Sequence, residues 1–315
     1  MNSFFTGPAA EFRTLIPSVV KNFSMGAVLP LFDQLAAQLL PRFLGEALAG
    51  RLSELDGYDP TLDPFLKQAY GLARSAVARL AFADYLPFAE LQIGDDGVTV
   101  TASPDRKAAF EYQTTKLDKS LREMGWQDLD ALLKLVAAKP AVFPEWLEAP
   151  YFQEHQDALF KSAPEFSKYY PIQDKWLTFW ALRPFIQAVE ENQGAQALAR
   201  LEALPDSDSG GQKAVLRRNL LRSLAYQAVI LALPNLSIEL SGTNVQVNYA
   251  GQYANSTYYT PPGREMLDWV SQNLQKQADL FWSNFEDGLS ALLPSQAEDD
   301  EASGLIESSG SIVWL

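Results

Sequence analysis

Twice along the chain, a long segment with apolar residues at helical spacing runs into a short stretch that alternates every second residue, then into another helical segment. In the first case Leu72, Ala76, Leu80 and Ala83 form one stripe of the stretch 62–85. Leu91, Ile93, Val98 and Val100 then alternate with polar residues around Gly94-Asp95-Asp96-Gly97, and Phe110, Leu117, Leu121 and Met124 mark the next helix. In the second, the helix Lys213 to Leu233 leads to Ile238, Leu240, Val245 and Val247 around Ser241-Gly242-Thr243-Asn244. A long segment, 263–293, follows with Leu267, Val270, Leu274, Phe281 and Phe285 on one face. Periods of 3.6 and 2 require different backbones, so the pattern predicts two helix–hairpin–helix units.

The punctuation of the two halves aligns. Arg74-Ser75 and Arg222-Ser223 precede the hairpins, Pro87 and Pro234 read as helix stops, and Pro104 and Pro261 precede the following helices. Gly125 reads as a further stop, with Trp126 to Ala137 as a separate helix. Pro17, Pro30 and Pro41 divide 12–55 into several short helices. Between the halves, Phe143, Trp146, Tyr151, Phe152, Phe160, Phe166, Tyr169 and Tyr170 carry too much aromatic surface to leave in water. The layout is a helical unit 1–139 with hairpin 90–103, an aromatic, proline-rich connector 140–171, and a second unit 172–294 with hairpin 236–249. An acidic linker and apolar arm, 295–315, complete it. The predicted class is mainly α with small β-hairpins (α+β), built by duplication of a helix–hairpin–helix unit.

The composition narrows the chemistry. The chain of 315 residues has no cysteine, which removes disulfides, thiolate nucleophiles and thiolate metal sites. It has a single histidine, His155, too few for a multi-histidine metal centre, and no serine in a GxSxG elbow. Ser209-Gly210-Gly211-Gln212 resembles an ATPase signature, but no GxxxxGK[ST] phosphate cradle accompanies it. Acidic neighbours such as Asp95 with Asp96 and Glu190 with Glu191 single out no catalytic pair. The expectation is a non-enzyme with no cofactor and no metal. A formal net charge of −14 repels phosphate backbones, so nucleic acid is expected at most as a local contact through Lys213, Arg217 and Arg218. The start, Met1 to Ile16, lacks the basic and apolar regions of a signal peptide, and no stretch is apolar for long enough to cross a bilayer. The expected location is a virion or a cytoplasmic assembly, with no membrane partner.

Two features stand outside the repeat. Tyr249, Tyr253, Tyr258 and Tyr259 lie among Asn, Ser and Gly, a mixture suited to recognition of a protein surface, a sugar or a peptide. The acidic stretch after Gln296 ends in Ile312, Val313, Trp314 and Leu315, an apolar segment suited to docking on its own subunit or a neighbour.

The run Ala109-Phe110-Glu111-Tyr112-Gln113 with Leu117, Leu121 and Gly125, then Phe143-Pro144-Glu145-Trp146 and Tyr151, resembles an uncharacterised family of Bacteroidetes phages and prophages. Phe166 to Ile172 and Phe179 to Pro184 share the resemblance. Its genes tend to lie among head and tail genes, which implies a structural protein of the head–tail connector or neck type, forming a homo-oligomeric ring against portal or tail components. The alternative is a non-enzymatic sugar- or peptide-binding module that uses the tyrosine-rich loop 249–259.

Overall fold

The computed structural model describes residues 4–5, 9–17, 19, 23–57, 59–89, 91–94, 97–100, 111–153, 158–204, 210–236, 238–241, 244–247 and 262–292. Helices follow in the order α1 (Ala9–Leu15), α2 (Leu29–Leu44), α3 (Glu46–Glu54), α4 (Pro64–Ala89), α5 (Glu111–Ala138), α6 (Pro144–Leu147), α7 (Pro150–Gln153) and α8 (Ala163–Ser167). They continue with α9 (Trp176–Val189), α10 (Ala195–Glu202), α11 (Gly210–Ala232) and α12 (Arg264–Leu292). A π-helical turn, Glu190–Gly194, joins α9 to α10.

The start of α4 shows how local chemistry sets an element. Asp63 stands before Pro64, and its Oδ1 accepts from the free amides of Phe65 at 2.8 Å and Leu66 at 3.1 Å. Beyond this cap, Ala69, Ala73, Ala76, Ala78, Ala81 and Ala83 are all buried. Alanine has the highest helix propensity and the smallest side chain, so α4 is buried over most of its girth and neighbours approach it closely. The most extensive packing in the chain is α4 against α5 and α11 against α12, with α9 on α11 and α2 on α4.

The α+β expectation is corrected: the architecture is helical. An α+β fold needs a sheet that helices cover. The described extended segments are β1 (Leu91–Gly94) with β2 (Gly97–Val100), and β3 (Ile238–Ser241) with β4 (Asn244–Val247). Each pair is an isolated antiparallel two-stranded ribbon, with Leu91 opposite Val100 and Ile238 opposite Val247. Ribbons of that size are marginal in water on their own, and they build no layer. The order helix–ribbon–helix occurs twice, but what packs on each pair differs: α2 lies on the first, and α9 with its π-helical turn on the second.

Three helix stops are also corrected. Pro87 lies within α4, Pro41 within α2, and α5 runs unbroken through Gly125. Each proline sits near its helix C-terminus beside buried side chains, Leu86 in one case and Leu39, Leu40 and Phe43 in the other, so packing outweighs the lost backbone bond. What ends α2 is Gly45, at φ +80°, whose N–H donates to the carbonyl of Pro41 at 2.9 Å. Gly125 is a packing residue: a Cβ there would lie 2.7 Å from Leu80 Cγ on α4. Gly288 on α12 plays the same part against Leu216 on α11, where a Cβ would lie 2.4 Å from Cδ2.

The halves share one core. Trp146 is buried, donates from Nε1 to the carbonyl of Phe43 at 3.3 Å, and meets Trp176 edge-on at 5.6 Å. Phe43 in turn contacts Trp180 at 5.0 Å, so α2, α6 and α9 meet in aromatic contact. Phe160, Phe166 and Tyr170 of the connector are buried, and Tyr170 carries the core to Tyr226 on α11.

Gly125→Ala should destabilise the chain by about 1–3 kcal/mol, against the helix propensity of alanine, because Leu80 cannot retreat from the seam. Combining it with Leu80→Ala should cost clearly less than the sum of the two changes. Urea unfolding of the four proteins in this cycle measures the coupling, and additive costs would refute the contact.

Candidate functional site

Polar groups at the junction of the halves determine where the second helix pair presents its surface. Asp130 of α5 accepts at Oδ1 from the N–H of Leu177 at 2.9 Å, so a residue of the first half caps the first turn of α9. Burial pushes the Asp130 carboxyl above its ordinary range, and the amides of Leu177 and Trp176 with Lys175 and Lys134 only partly counter this. At the other end of α9, the Glu190 carboxylate accepts from the N–H groups of Leu159 at 3.1 Å and Phe160 at 3.3 Å. Buried Arg183 donates to the carbonyl of Phe160 at 2.9 Å. Burial raises the Glu190 pKa, with Arg183 and the two amides opposing. The connector is thus clamped to the first residue of the π-helical turn. Gly194, its last residue, lies tightly between Leu159 and Leu224, each 3.1 Å from a notional Cβ.

The π-helical turn forms one wall of an open groove of about 480 Å³, lined by Val189, Asn192, Gln193, Gln227, Ile230, Leu231, Gln275, Asp279 and Trp282. The other walls are α11 and α12, held together here by buried Ser223, whose hydroxyl donates to the carbonyl of Ala278 at 2.9 Å. Gln227 Nε2 donates to that same hydroxyl oxygen at 3.2 Å, and Gln275 Nε2 to Asp279 Oδ1 at 2.8 Å, so two of the lining amides have fixed orientations. Trp282 is half-buried and anchored on buried Phe285 with ring centroids 5.8 Å apart.

A second surface lies at the ribbon ends of the helix pairs. Phe88 in the last turn of α4 and Tyr112 in the first turn of α5 are each 66% exposed. Leu231 in the last turn of α11, with Met266 and Trp269 at the start of α12, is likewise exposed, Trp269 to 53%. Large apolar side chains collect on solvent where each pair enters and leaves its ribbon.

Residues 40–156 and 186–293 match the family of unknown function DUF6712. The chain belongs to this family. No curated protein and no solved structure matches it. Every residue lining the groove falls in the second DUF6712 segment, and the exposed ribbon-end residues fall within the two segments. Residues 312–315 lie beyond the DUF6712 match.

The interface residues expected from sequence, Tyr249, Tyr253, Tyr258, Tyr259, Ile312, Val313, Trp314 and Leu315, lie outside the described residues, as do His155, Asp95, Asp96 and Ser209. Lys213 Nζ donates to the carbonyl of Leu204 at 3.2 Å and Arg222 lies over the ring of Phe281 at 5.3 Å, while Arg217 and Arg218 are exposed. Among the described residues no cluster of three or more His, Asp or Glu is placed to hold a metal ion, and no helix is long and apolar enough to cross a membrane. Sequence reasoning missed the groove. Its residues come from separate segments, and the one local signal was the run Glu190-Glu191-Asn192-Gln193-Gly194 inside a helical pattern.

Asp130→Ala should cost about 1 kcal/mol by leaving α9 uncapped, whereas Asp130→Asn keeps the acceptor and should be tolerated. The folded pKa of Asp130 lies above its ordinary 3.8. The pH-dependent part of its contribution is therefore full below 3.8 and lost as pH rises through the folded value. The unfolding free energy of the native chain relative to Asp130→Asn should fall as pH rises across that window. Urea titrations at stepped pH measure it, and a pH-independent difference would contradict the assignment.

Proposed function

We propose that this chain is a non-catalytic structural protein that assembles with copies of itself and with neighbouring particle proteins, of the head–tail connector type that its sequence resembles. The observation that carries the reading is the exposure of Phe88, Tyr112, Leu231, Met266 and Trp269 at the ribbon ends of the two helix pairs. Exposed aromatic and methionine side chains are the residues that interfaces concentrate at their centres. Two apolar ends on one chain, not related by any shared packing, suit a heterologous contact in which one end meets a different surface of the next copy. Contacts of that kind close into rings where the rotation between copies closes. The absence of a catalytic constellation in the sequence agrees with this role, and the rigid shared core suits a part that transmits position rather than turning over a substrate.

Light scattering and mass photometry of the full chain, alone and with portal and tail proteins of its own particle, test this. A discrete oligomer should form, and Phe88→Ser with Trp269→Ser should return it to monomer with an unchanged melting temperature. A chain that stays monomeric in every mixture would overturn the proposal.

A further inference from the structure

We infer that the groove between the π-helical turn, α11 and α12 is a binding site for a neutral oligosaccharide. Its size, about 480 Å³, is that of a small-ligand site. Its chemistry is uneven in an informative way. Four carboxamides line it, those of Asn192, Gln193, Gln227 and Gln275, with one carboxylate, Asp279, one indole, Trp282, the aliphatic Val189, Ile230 and Leu231, and no Lys, Arg or His. An anionic ligand would find no counter-charge there and one carboxylate opposing it. A carboxamide offers a donor and an acceptor side by side, the pairing that vicinal hydroxyls of a pyranose present. The half-buried indole supplies a flat apolar face for the C–H side of such a ring.

The walls argue against a peptide. An extended peptide adds to a sheet edge, and an amphipathic helix needs a continuous apolar trough; here the walls are helical, and four carboxamides and Asp279 interrupt the apolar side chains of Val189, Ile230, Leu231 and Trp282. The π-helical turn is an independent pointer. Such turns are rare and gather at functional sites, and this one places Asn192 and Gln193 at the groove, both exposed. Neither side chain takes part in an intramolecular hydrogen bond among the described residues, so their amides are available. Gln227 and Gln275 each spend one N–H on Ser223 and Asp279, which leaves the amide oxygen and the second N–H for a ligand.

The test is binding of the full chain to an array of neutral gluco-, galacto-, manno-, rhamno- and N-acetylglucosamine oligosaccharides, beside uronic-acid and phosphorylated series. Hits are followed by saturation-transfer NMR. The expected result is binding within the neutral set only, weakened about tenfold or more by Asn192→Ala with Gln193→Ala, as the loss of paired hydrogen bonds requires. Those side chains are exposed, so the variant folds; Trp282→Phe, which keeps the aromatic packing on Phe285, should weaken binding less. No neutral oligosaccharide bound at about 10 mM, a limit equivalent to only a few kcal/mol, would overturn the proposal. Binding that is indifferent to the Asn192 and Gln193 changes, or confined to the anionic series or to peptides, would overturn it equally. Because the assembly test reads oligomer mass and this one reads sugar binding, failure of either is distinguishable from failure of the other.

Discussion

The structure depends on the burial of the connector's aromatic rings where the two halves meet. Trp146, Phe160, Phe166 and Tyr170 are all buried, and they touch α9, α11 and the carbonyl end of α2 rather than one another alone. Each such ring contributes on the order of 2–3 kcal/mol by leaving water; Trp146 does so against both halves, while Phe166 and Tyr170 pack on the second. Arg51 adds a polar tie in the same place: it donates to Glu145 at 2.8 Å and to the carbonyl of Val142 at 3.1 Å, and so holds α3 against the connector. The halves therefore behave as one packed body, and the surfaces they carry are held in fixed relation.

Within each half a second constraint operates, which is close approach of helices over small residues. The alanine face of α4 and Gly125 of α5 form one seam, and Gly288 of α12 lets Leu216 of α11 into another. Ion pairs flank the first seam: Arg79 with Asp128, and Arg122 with both Asp84 and Asp118. Near the second, Arg200 of α10 reaches Glu286 of α12 with two parallel bonds of 2.8 and 2.7 Å. Exposed pairs contribute little on their own. The two that cross the first seam, Arg79 with Asp128 and Arg122 with Asp84, set register, since they fix which residue of α4 faces which residue of α5.

The helical stripes of α4, α5, α11 and α12 were legible because each element is long and its period is repeated many times. The class was misjudged because two alternating stretches were given the weight of a sheet, although four-residue ribbons paired only with themselves make no layer. The stops at Pro41, Pro87 and Gly125 were misread for a related reason: proline and glycine rules are local, and burial of Leu40, Leu86 or the Gly125 seam overrides them. The groove left one local trace, the run Glu190-Glu191-Asn192-Gln193-Gly194. Its wall depends on a π-helical turn held by a carboxylate that bonds backbone at Leu159 and Phe160, a contact across about thirty residues that no periodicity encodes.

The two surfaces meet at one side chain. Leu231 lines the groove and is also one of the exposed apolar residues at the ribbon end of the second pair. A ligand in the groove and a neighbouring protein on that end would therefore alter each other's binding through direct contact, with no conformational relay required. Such coupling is reciprocal: whatever factor the ligand imposes on assembly, assembly imposes on the ligand. Phe88 and Tyr112, at the ribbon end of the first pair, do not line this groove, so an effect transmitted through Leu231 would act on one of the two ends. In a heterologous ring that is enough, because every contact uses one end of one kind and its complement on the next copy.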